Sequence, residues 1–367
     1  MKPSVVIERR GAQLAGLWPA APPSKLEPVA TVDTTHLDAE YRALTEGCGL
    51  LDRSARGKLA LTGSGAKEFL AGQVTNDIEA LTPGTGCYAA FLTPKGKMLG
   101  DLRVLDLGGV PPLGDELFLD TERVALQALF DMIRRFKIGY DVELHKRTVE
   151  RGLLSLIGPD AARIAGAETK ETLPAVEHAN VAVEIDGIAA IVARTDTGVD
   201  LLCDAPDTER LAKALRERSA APVSEDVAEI VRVEHGRPRY GTDLDETVIP
   251  QEAGLNERAV SFTKGCYVGQ ETVARLHYRG KPNRHLRGLR LSAPAEPGAE
   301  LLADHRSRQS TIGGERSVGR LTSVVLSPIH GPIGLALVRR EAEPGASVSV
   351  GEQGAVAEVV ELPFTAR

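Results

Sequence analysis

From about Arg287 to the C-terminus the chain breaks into short runs of β-forming residues punctuated by Gly and Pro: "LRGLRL", "VGRLTSVVLS", "GLALVRR", "SVSVG" and "AVAEVVEL". Runs this short leave no room for an amphipathic helix, and turns this frequent return each strand to a near neighbour. The pattern predicts a small all-β barrel or sandwich at the end of the chain. It also confines helices to the first three-quarters.

There the texture is mixed. "AEYRALTEGCGLLD" has helical spacing, with Tyr41, Leu44 and Cys48 on one side and Gly47 near the stop. "KLALTG" reads as a strand, Gly63–Gly65 as a turn, and Ser64 as the N-cap of a helix carrying Phe69 and Leu70. Glu68 stands where a dinucleotide-binding G-x-G-x-x-G needs its third glycine. Phe91 stands where a P-loop ending at Gly96 needs its first, so neither phosphate cradle is present. Strands follow in "CYAAFLT", "MLGDLRVLDL" and "ELFLD". "TERVALQALFDMIRRFKIG" predicts an amphipathic helix with Val124, Leu126, Leu129 and Ile133 as its apolar stripe. "YDVELHKRT" and "LLSLIG" are strand-like. "AVEIDGIAAIVARTDTGVDLLCD" then reads as three strands, the first two joined by an Asp-Gly hairpin turn, before the helix "DTERLAKALRER".

A chain of 367 residues is long enough for two or three domains. Residues 17–36 hold four prolines and little periodicity, so residues 1–36 are expected to form an irregular arm. Residues 37–285 are expected to form two α+β subdomains and 286–367 the barrel. The 44 Lys and Arg against 51 Asp and Glu leave a net charge of −7, which offers no general attraction to nucleic acid or anionic membrane. No run approaches the ~20 apolar residues needed to cross a bilayer, and the expected address is a reducing cytoplasm. The four cysteines, Cys48, Cys87, Cys203 and Cys266, form neither a C-x-x-C pair nor a zinc spacing. No metal site is expected.

The most chemically loaded stretch is "KGCYVGQE", in which Lys264, Gly265, Tyr267, Gly269, Gln270 and Glu271 surround Cys266. A thiol reacts as its thiolate, which nearby cations favour, and Lys264, Arg275 and His277 are close in sequence. In a loop, the two glycines would present that thiol; in a strand, it would be a small buried apolar residue. The residues alone leave both readings open. Cys48, Cys87 and Cys203 sit in apolar periodic stretches and read as packing. Asp77, Asp101, Asp196 and Glu234 are candidate carboxylates, each equally a cap or surface charge. His235 and His277 lack the partner spacing of a metal site or triad.

"KGCYVGQE" resembles the signature of the YgfZ-type folate-binding proteins, relatives of the glycine-cleavage T-protein (aminomethyltransferase). "GLLDRSARGKLALTGSGAKEFLAGQVTNDIEAL", "TPKGKMLGDLRV", "RVEHGRPRYGTDLDETVIPQEAGL" and "GRLTSVVLSPIHGPIGLALVRR" resemble the same superfamily in the same order, and together span most of residues 47–340. The resemblance implies an α+β, three-domain cloverleaf around a central folate channel, closed by a C-terminal β-barrel, with tetrahydrofolate or a one-carbon derivative as cofactor. It implies that Asp196 faces the pterin, that Arg232 pairs with the glutamate tail, and that Asn76 and Tyr240 lie among the folate contacts. It also gives Asp101 a catalytic role, although Gly100 stands where the T-protein carries a second, adjacent aspartate.

What the resemblance implies for function is a tetrahydrofolate-binding accessory protein that supports assembly or repair of iron–sulfur enzymes, with client proteins as partners and Cys266 as the working thiol. One cysteine cannot supply the roughly four ligands a cluster needs, so any cluster would be shared. The alternatives are a folate-dependent aminomethyl or one-carbon transferase using Asp101, of glycine-cleavage or tRNA-linked type, and a passive folate binder. Net charge lends tRNA contact no support. The basic stretch Ala274–Arg290 is expected to be a solvated interdomain crossover.

Overall fold

The computed structural model describes residues 34–109, 114, 116–167, 172–303, 316–351 and 355–365. The chain opens with α1 (Thr34–Glu46), β1 (Gly49–Asp52), β2 (Gly57–Thr62), α2 (Ala66–Ala71), β3 (Gly86–Leu92), β4 (Met98–Asp106) and β5 (Leu117–Thr121). It continues through α3 (Leu126–Phe136), β6 (Glu143–Lys146), β7 (Arg151–Ile157), α4 (Ala161–Ile164), β8 (Asn180–Ile185), β9 (Ile188–Arg194) and β10 (Gly198–Asp204). After α5 (Thr208–Glu217) and β11 (Ala221–Pro222) come α6 (Glu225–Glu234), α7 (Asn256–Ala259) and α8 (Gln270–Arg279). The remainder is β12 (Arg284–Leu291), β13 (Glu300–Ala303), β14 (Arg316–Ser327), β15 (Gly331–Arg339), β16 (Ser347–Val350) and β17 (Ala355–Val360).

These elements make two sheets and a barrel. One sheet has the order β3-β4-β5-β2-β6, the second β11-β1-β7-β10-β9-β8, and β12-β15-β14-β13-β16-β17 close into a barrel. Closure removes the exposed edges that such short strands would otherwise present. The two sheets meet through Leu105, Leu107 and Phe118 of the first and Leu153, Ile191 and Leu202 of the second. Phe69, Leu129 and Ile133 cover the first sheet, and Ile164, Leu211 and Leu215 the second. Helix α6 joins the second sheet to the barrel. Val227, Ile230 and Val231 pack with Tyr41 and Leu44 on one side, and Val233 packs with Leu286, Leu335 and Phe364 on the other. The mixed architecture and the closed barrel are those expected.

Several local expectations fail for identifiable reasons. Helix α1 stops at Glu46, so Cys48 lies beyond it and packs in the core under the second sheet rather than on the helix. Ser64 does not cap α2: Gly65 holds that position, and the Ser64 hydroxyl donates instead to Asp141 Oδ2 at 2.6 Å. Val124 precedes α3 and is 65% exposed, leaving Leu129 and Ile133 as the buried stripe. The stretch 274–290 carries the chain from α8 into the barrel, through exposed residues 277–281, but most of it is regular structure. It is the end of α8 and most of β12, where Arg284 pairs with Glu252 and Arg287 with Glu361. Most of the expected arm, residues 1–33, lies outside the described residues, and its last three residues begin α1.

Candidate functional site

Where the first sheet, the second sheet and α6 converge, a cavity of about 530 Å³ opens, lined among others by Arg56, Tyr88, Asp101, Asp196, Tyr240 and Arg258. An inner chamber of about 170 Å³ shares those walls except Tyr240 and reaches between the sheets to Arg103, Ser155, His178 and Asp200.

The cavity wall is rich in arginine, and most of its arginines are held by paired acids. The loop from β1 to β2 presents Arg53 and Arg56, and the fully buried Lys58 ammonium fixes that loop by donating to Ser54 O at 2.6 Å. Burial holds the Lys58 ammonium below the usual lysine range. Arg56 Nε donates to Asp120 Oδ1 at 2.8 Å and its Nη1 to Glu122. Arg103 Nη2 takes the other Asp120 oxygen at 2.9 Å, and its Nη1 reaches across the sheet interface to Asp200 Oδ2 at 2.6 Å. Ser155 Oγ completes the chain by donating to Asp200 Oδ1 at 2.6 Å. Buried ions are tolerated only when paired in this way.

Asp101 is the exception. It is 5% exposed, and its carboxylate accepts one side-chain hydrogen bond, from the Tyr88 hydroxyl at 2.6 Å. Burial pushes its carboxyl up to about 6; the Tyr88 bond opposes this, the Glu122 charge adds to it, and Arg56 and Arg258 oppose it. A carboxyl in that range can hold or release a proton near neutral pH. The Tyr88 ring lies under the guanidinium of Arg258 at 4.5 Å, and Arg258 is clamped by both oxygens of Glu177.

Of the other residues expected from sequence, Asp196 lies in the β9–β10 turn on the wall of both cavity and chamber, where its Oδ2 accepts from Arg237 Nε at 2.6 Å. Tyr240 is buried on the cavity wall. Asn76 acts as a clasp: its amide donates to Tyr88 O at 2.8 Å and Arg258 O at 3.3 Å, fastening the two segments that carry the stacked pair. Arg232 reaches the wall but is committed elsewhere. It pairs with Glu229, donates to Asp243 Oδ2 at 2.7 Å and to Ser323 Oγ at 2.6 Å, and so ties α6 to the barrel. Three further arginines of the cavity wall are also paired: Arg53 and Arg239 with Glu225, Arg239 with Glu229 as well, and Arg237 with Asp196. Glu234 is structural, accepting from Tyr41 at 3.0 Å and from Ser327 at 2.5 Å.

The octapeptide is built elsewhere, with Lys264, Tyr267, Val268 and Gly269 fastening it to the first sheet and α2. Lys264 Nζ donates to Ala71 O and, at 2.8 Å, to Val74 O, and lies over the Tyr267 ring at 5.0 Å. Desolvation lowers the Lys264 ammonium to about 8. Tyr267 is buried in the core, and Val268 N donates to Gly72 O at 3.3 Å. Gly269 has φ +86° and lies so close to Thr93 O that a Cβ would stand 2.6 Å away. Gln270 and Glu271 begin α8. Cys266 is exposed, as are Gly265 and Glu271, and it forms no part of the wall of cavity or chamber. The strand alternative for Cys266 is thereby removed, whereas Cys48 and Cys203 are buried and Cys87 half-buried. Among the described residues no cluster of three or more His, Cys, Asp or Glu is arranged to hold a metal, and no helix is long and apolar enough to cross a membrane.

Sequence reasoning passed over Arg56, Tyr88, Arg103, Glu177, His178 and Arg258. A period-two signal was available for part of this set. Tyr88 faces Arg103 across the β3–β4 ladder, and Asp101 is two residues from Arg103, so all three share one face of the sheet. Nothing local in the sequence marks Glu177, His178 or Arg258.

Residues 8–264 match the family described as the GCVT N-terminal domain. The chain is 31% identical over 338 residues to an aminomethyltransferase of Rubrobacter xylanophilus, covering 90% of this chain and 87% of that protein. It is 30% identical over 354 residues to an aminomethyltransferase of Synechococcus, covering 92% of each. A crystal structure of glycine cleavage system aminomethyltransferase T from Bartonella henselae superposes with a TM-score of 0.76 at 24% identity, over 90% of this chain and 89% of that one, a likeness of fold.

Proposed function

Because this chain belongs to the glycine-cleavage T-protein (GCVT) family, we propose that it binds tetrahydrofolate or a one-carbon derivative in the cavity around Asp101. The carrying observation is the donor set. A volume of about 530 Å³ lies in the range that encloses a ligand of this size. Carboxylates at Asp101 and Asp196 suit the guanidine-like edge of a pterin, and Arg53, Arg237 and Arg239 would exchange their present acid partners, Glu225 and Asp196, for the carboxylates of a glutamate tail. When bound, the folate supplies the one-carbon chemistry. The chain's own residues orient it, and Asp101 holds or accepts a proton at its carboxyl.

The finer reading is that of a YgfZ-type accessory protein for iron–sulfur enzymes. It draws support from the separation between the cavity and an exposed Cys266 on a firmly anchored loop. A thiol so placed meets macromolecular partners and not the folate. The competing reading, a one-carbon transferase, draws its support from the raised Asp101 carboxyl.

Two measurements test this. Titration with tetrahydrofolate should show saturable binding by wild type and weaker binding by Asp196→Ala; no binding by wild type would overturn the cavity assignment. In a strain lacking the protein, Cys266→Ala should fail to restore iron–sulfur enzyme activities that wild type restores. Full restoration, joined to glycine-cleavage activity that disappears in Asp101→Asn, would favour the transferase.

A further inference from the structure

We propose that the exposed face of α8, together with the segment around Phe262, is a docking surface for an acidic segment of a partner protein, which it brings to the Cys266 thiol. The proposal rests on the reading of Cys266 as a thiol that meets macromolecular partners, and it adds the kind of surface those partners present.

Helix α8 buries Val273 and exposes Glu271, Arg275, Tyr278 and Arg279 at helical spacing, with exposed His277 beside them. Tyr278 is 68% exposed, an aromatic ring outside the core. The ring of His277 stacks on Phe262 with centroids 3.7 Å apart, and Tyr278 meets His277 edge to face at 4.8 Å. This stack folds the chain just before the octapeptide back onto the exposed face of the helix. Cys266 lies four residues after Phe262 and four before Gln270, so its backbone is within about 14 Å of both.

The positive charge of this face is uncompensated. Among the described residues the side chains of Arg275, Arg279 and Lys281 form no ion pair or hydrogen bond, in contrast to the paired arginines of the cavity wall. The strip continues onto the barrel, where the N–H of exposed Arg340 donates to Asn283 O at 3.0 Å, two residues beyond Lys281. Exposed Glu271 and Glu341 flank the strip in sequence, and Glu252 is taken by Arg284. A local cationic strip on a chain of net charge −7 selects a partner that is acidic where it touches. Arg and Tyr are also the side chains that most often anchor protein interfaces. Single-stranded nucleic acid would stack its bases on open ring faces, but Phe262 and His277 each spend a face on the other, and the net charge opposes a longer polyanion. A protein segment with a few carboxylates around an apolar side chain matches both the cations and Tyr278.

The test uses the full chain and two short peptides, one rich in glutamate and the other its lysine-rich counterpart. Each carries a single cysteine blocked as its mixed disulfide with thionitrobenzoate. The Cys266 thiolate attacks the peptide sulfur, forms the new disulfide and expels thionitrobenzoate, whose absorbance gives the rate; Cys266→Ala supplies the background. Wild type should react about 10-fold or more faster with the glutamate peptide, and about 1 M NaCl, where the Debye length is about 3 Å, should abolish the preference. Combining Arg275→Gln, Arg279→Gln and Lys281→Gln should abolish it too, while uncharged dithiodipyridine reacts with this variant as with wild type. In a strain lacking the protein, the same variant, which keeps its thiol, should restore iron–sulfur enzyme activities less than wild type does. Equal rates for the two peptides in wild type, or a preference that survives in the triple variant, overturns the proposal alone. Stronger protection of Cys266 by a single-stranded oligonucleotide than by the unblocked glutamate peptide assigns the strip to nucleic acid and likewise overturns it. Full restoration by Cys266→Ala overturns the reading of the thiol and the proposal together.

Discussion

The hydroxyl of Tyr88 donates to Oδ2 of Asp101 at 2.6 Å along a diagonal of the β3–β4 ladder, where Tyr88 lies opposite Arg103. It is the one side-chain hydrogen bond opposing the burial that raises Asp101.

Tyr88→Phe should therefore raise the Asp101 carboxyl further, above its value of about 6. A hydrogen bond to a charged group contributes roughly 1.5–3 kcal/mol, which corresponds to a rise of about one pH unit or more. A ¹³C titration of the Asp101 carboxyl measures it, and an unchanged midpoint would show that the bond does not tune this group.

Asp101→Asn should stabilise the fold at pH 7. A carboxyl raised from 3.8 to about 6 by burial is disfavoured in its ionised form, so its relative stability is fully present below pH 4 and lost as pH rises through 6. Replacing it should gain on the order of 1–3 kcal/mol at pH 7 and nothing at pH 3.5. Urea unfolding at the two pH values reads the difference. A gain of stability on removing a cavity carboxylate is what a functional group kept at structural cost should show.

His178 acts with the opposite sign over nearly the same window. Its imidazolium is lowered from 6.5 to about 4 by burial, so the fold retains the neutral ring while the unfolded chain binds a proton below about 6.5. Stability from this group is present above pH 6.5 and lost as pH falls toward 4. His178→Asn should flatten that loss, measured as the dependence of the urea midpoint on pH between 4 and 6.5.

The octapeptide loop yields a paired test. Gly269→Ala places a Cβ 2.6 Å from Thr93 O at φ +86°, and should cost about 2 kcal/mol or more. Gly265→Ala, where a Cβ meets nothing within 4 Å, should change stability little. Equal thermal midpoints for the two variants would contradict the anchored-loop account.

Cys266→Ala should leave stability within about 0.5 kcal/mol of wild type, as expected for an exposed side chain with no packing role. Tetrahydrofolate affinity should also be unchanged, because Cys266 lines neither cavity nor chamber. A loss of affinity would place the thiol nearer the ligand than the structure has it.

The sequence by itself determined the elements whose signals are local. Period-two runs with Gly and Pro turns foretold the barrel strands. The Asp186–Gly187 pair, at φ 51° and 75°, is the hairpin turn its residues prescribe. Motif order marked Asp101, Asp196 and Tyr240, which converge on one cavity. The tertiary structure decided which side chains were free. Arg232 reads in sequence as an available cation, yet it is consumed by Glu229, Asp243 and Ser323, two of which lie beyond its own helix. Lys264 reads as a cation beside Cys266, but its ammonium turns away to the carbonyls of Ala71 and Val74, 190 or more residues earlier in the chain. His178 carries no sequence signal at all; only the meeting of two sheets leaves its ring buried without a partner. Hydrogen-bond saturation depends on neighbours distant in sequence, whereas turn and strand propensities depend on adjacent residues. The chain's own order therefore discloses its architecture before it discloses which of its charges remain available to a ligand.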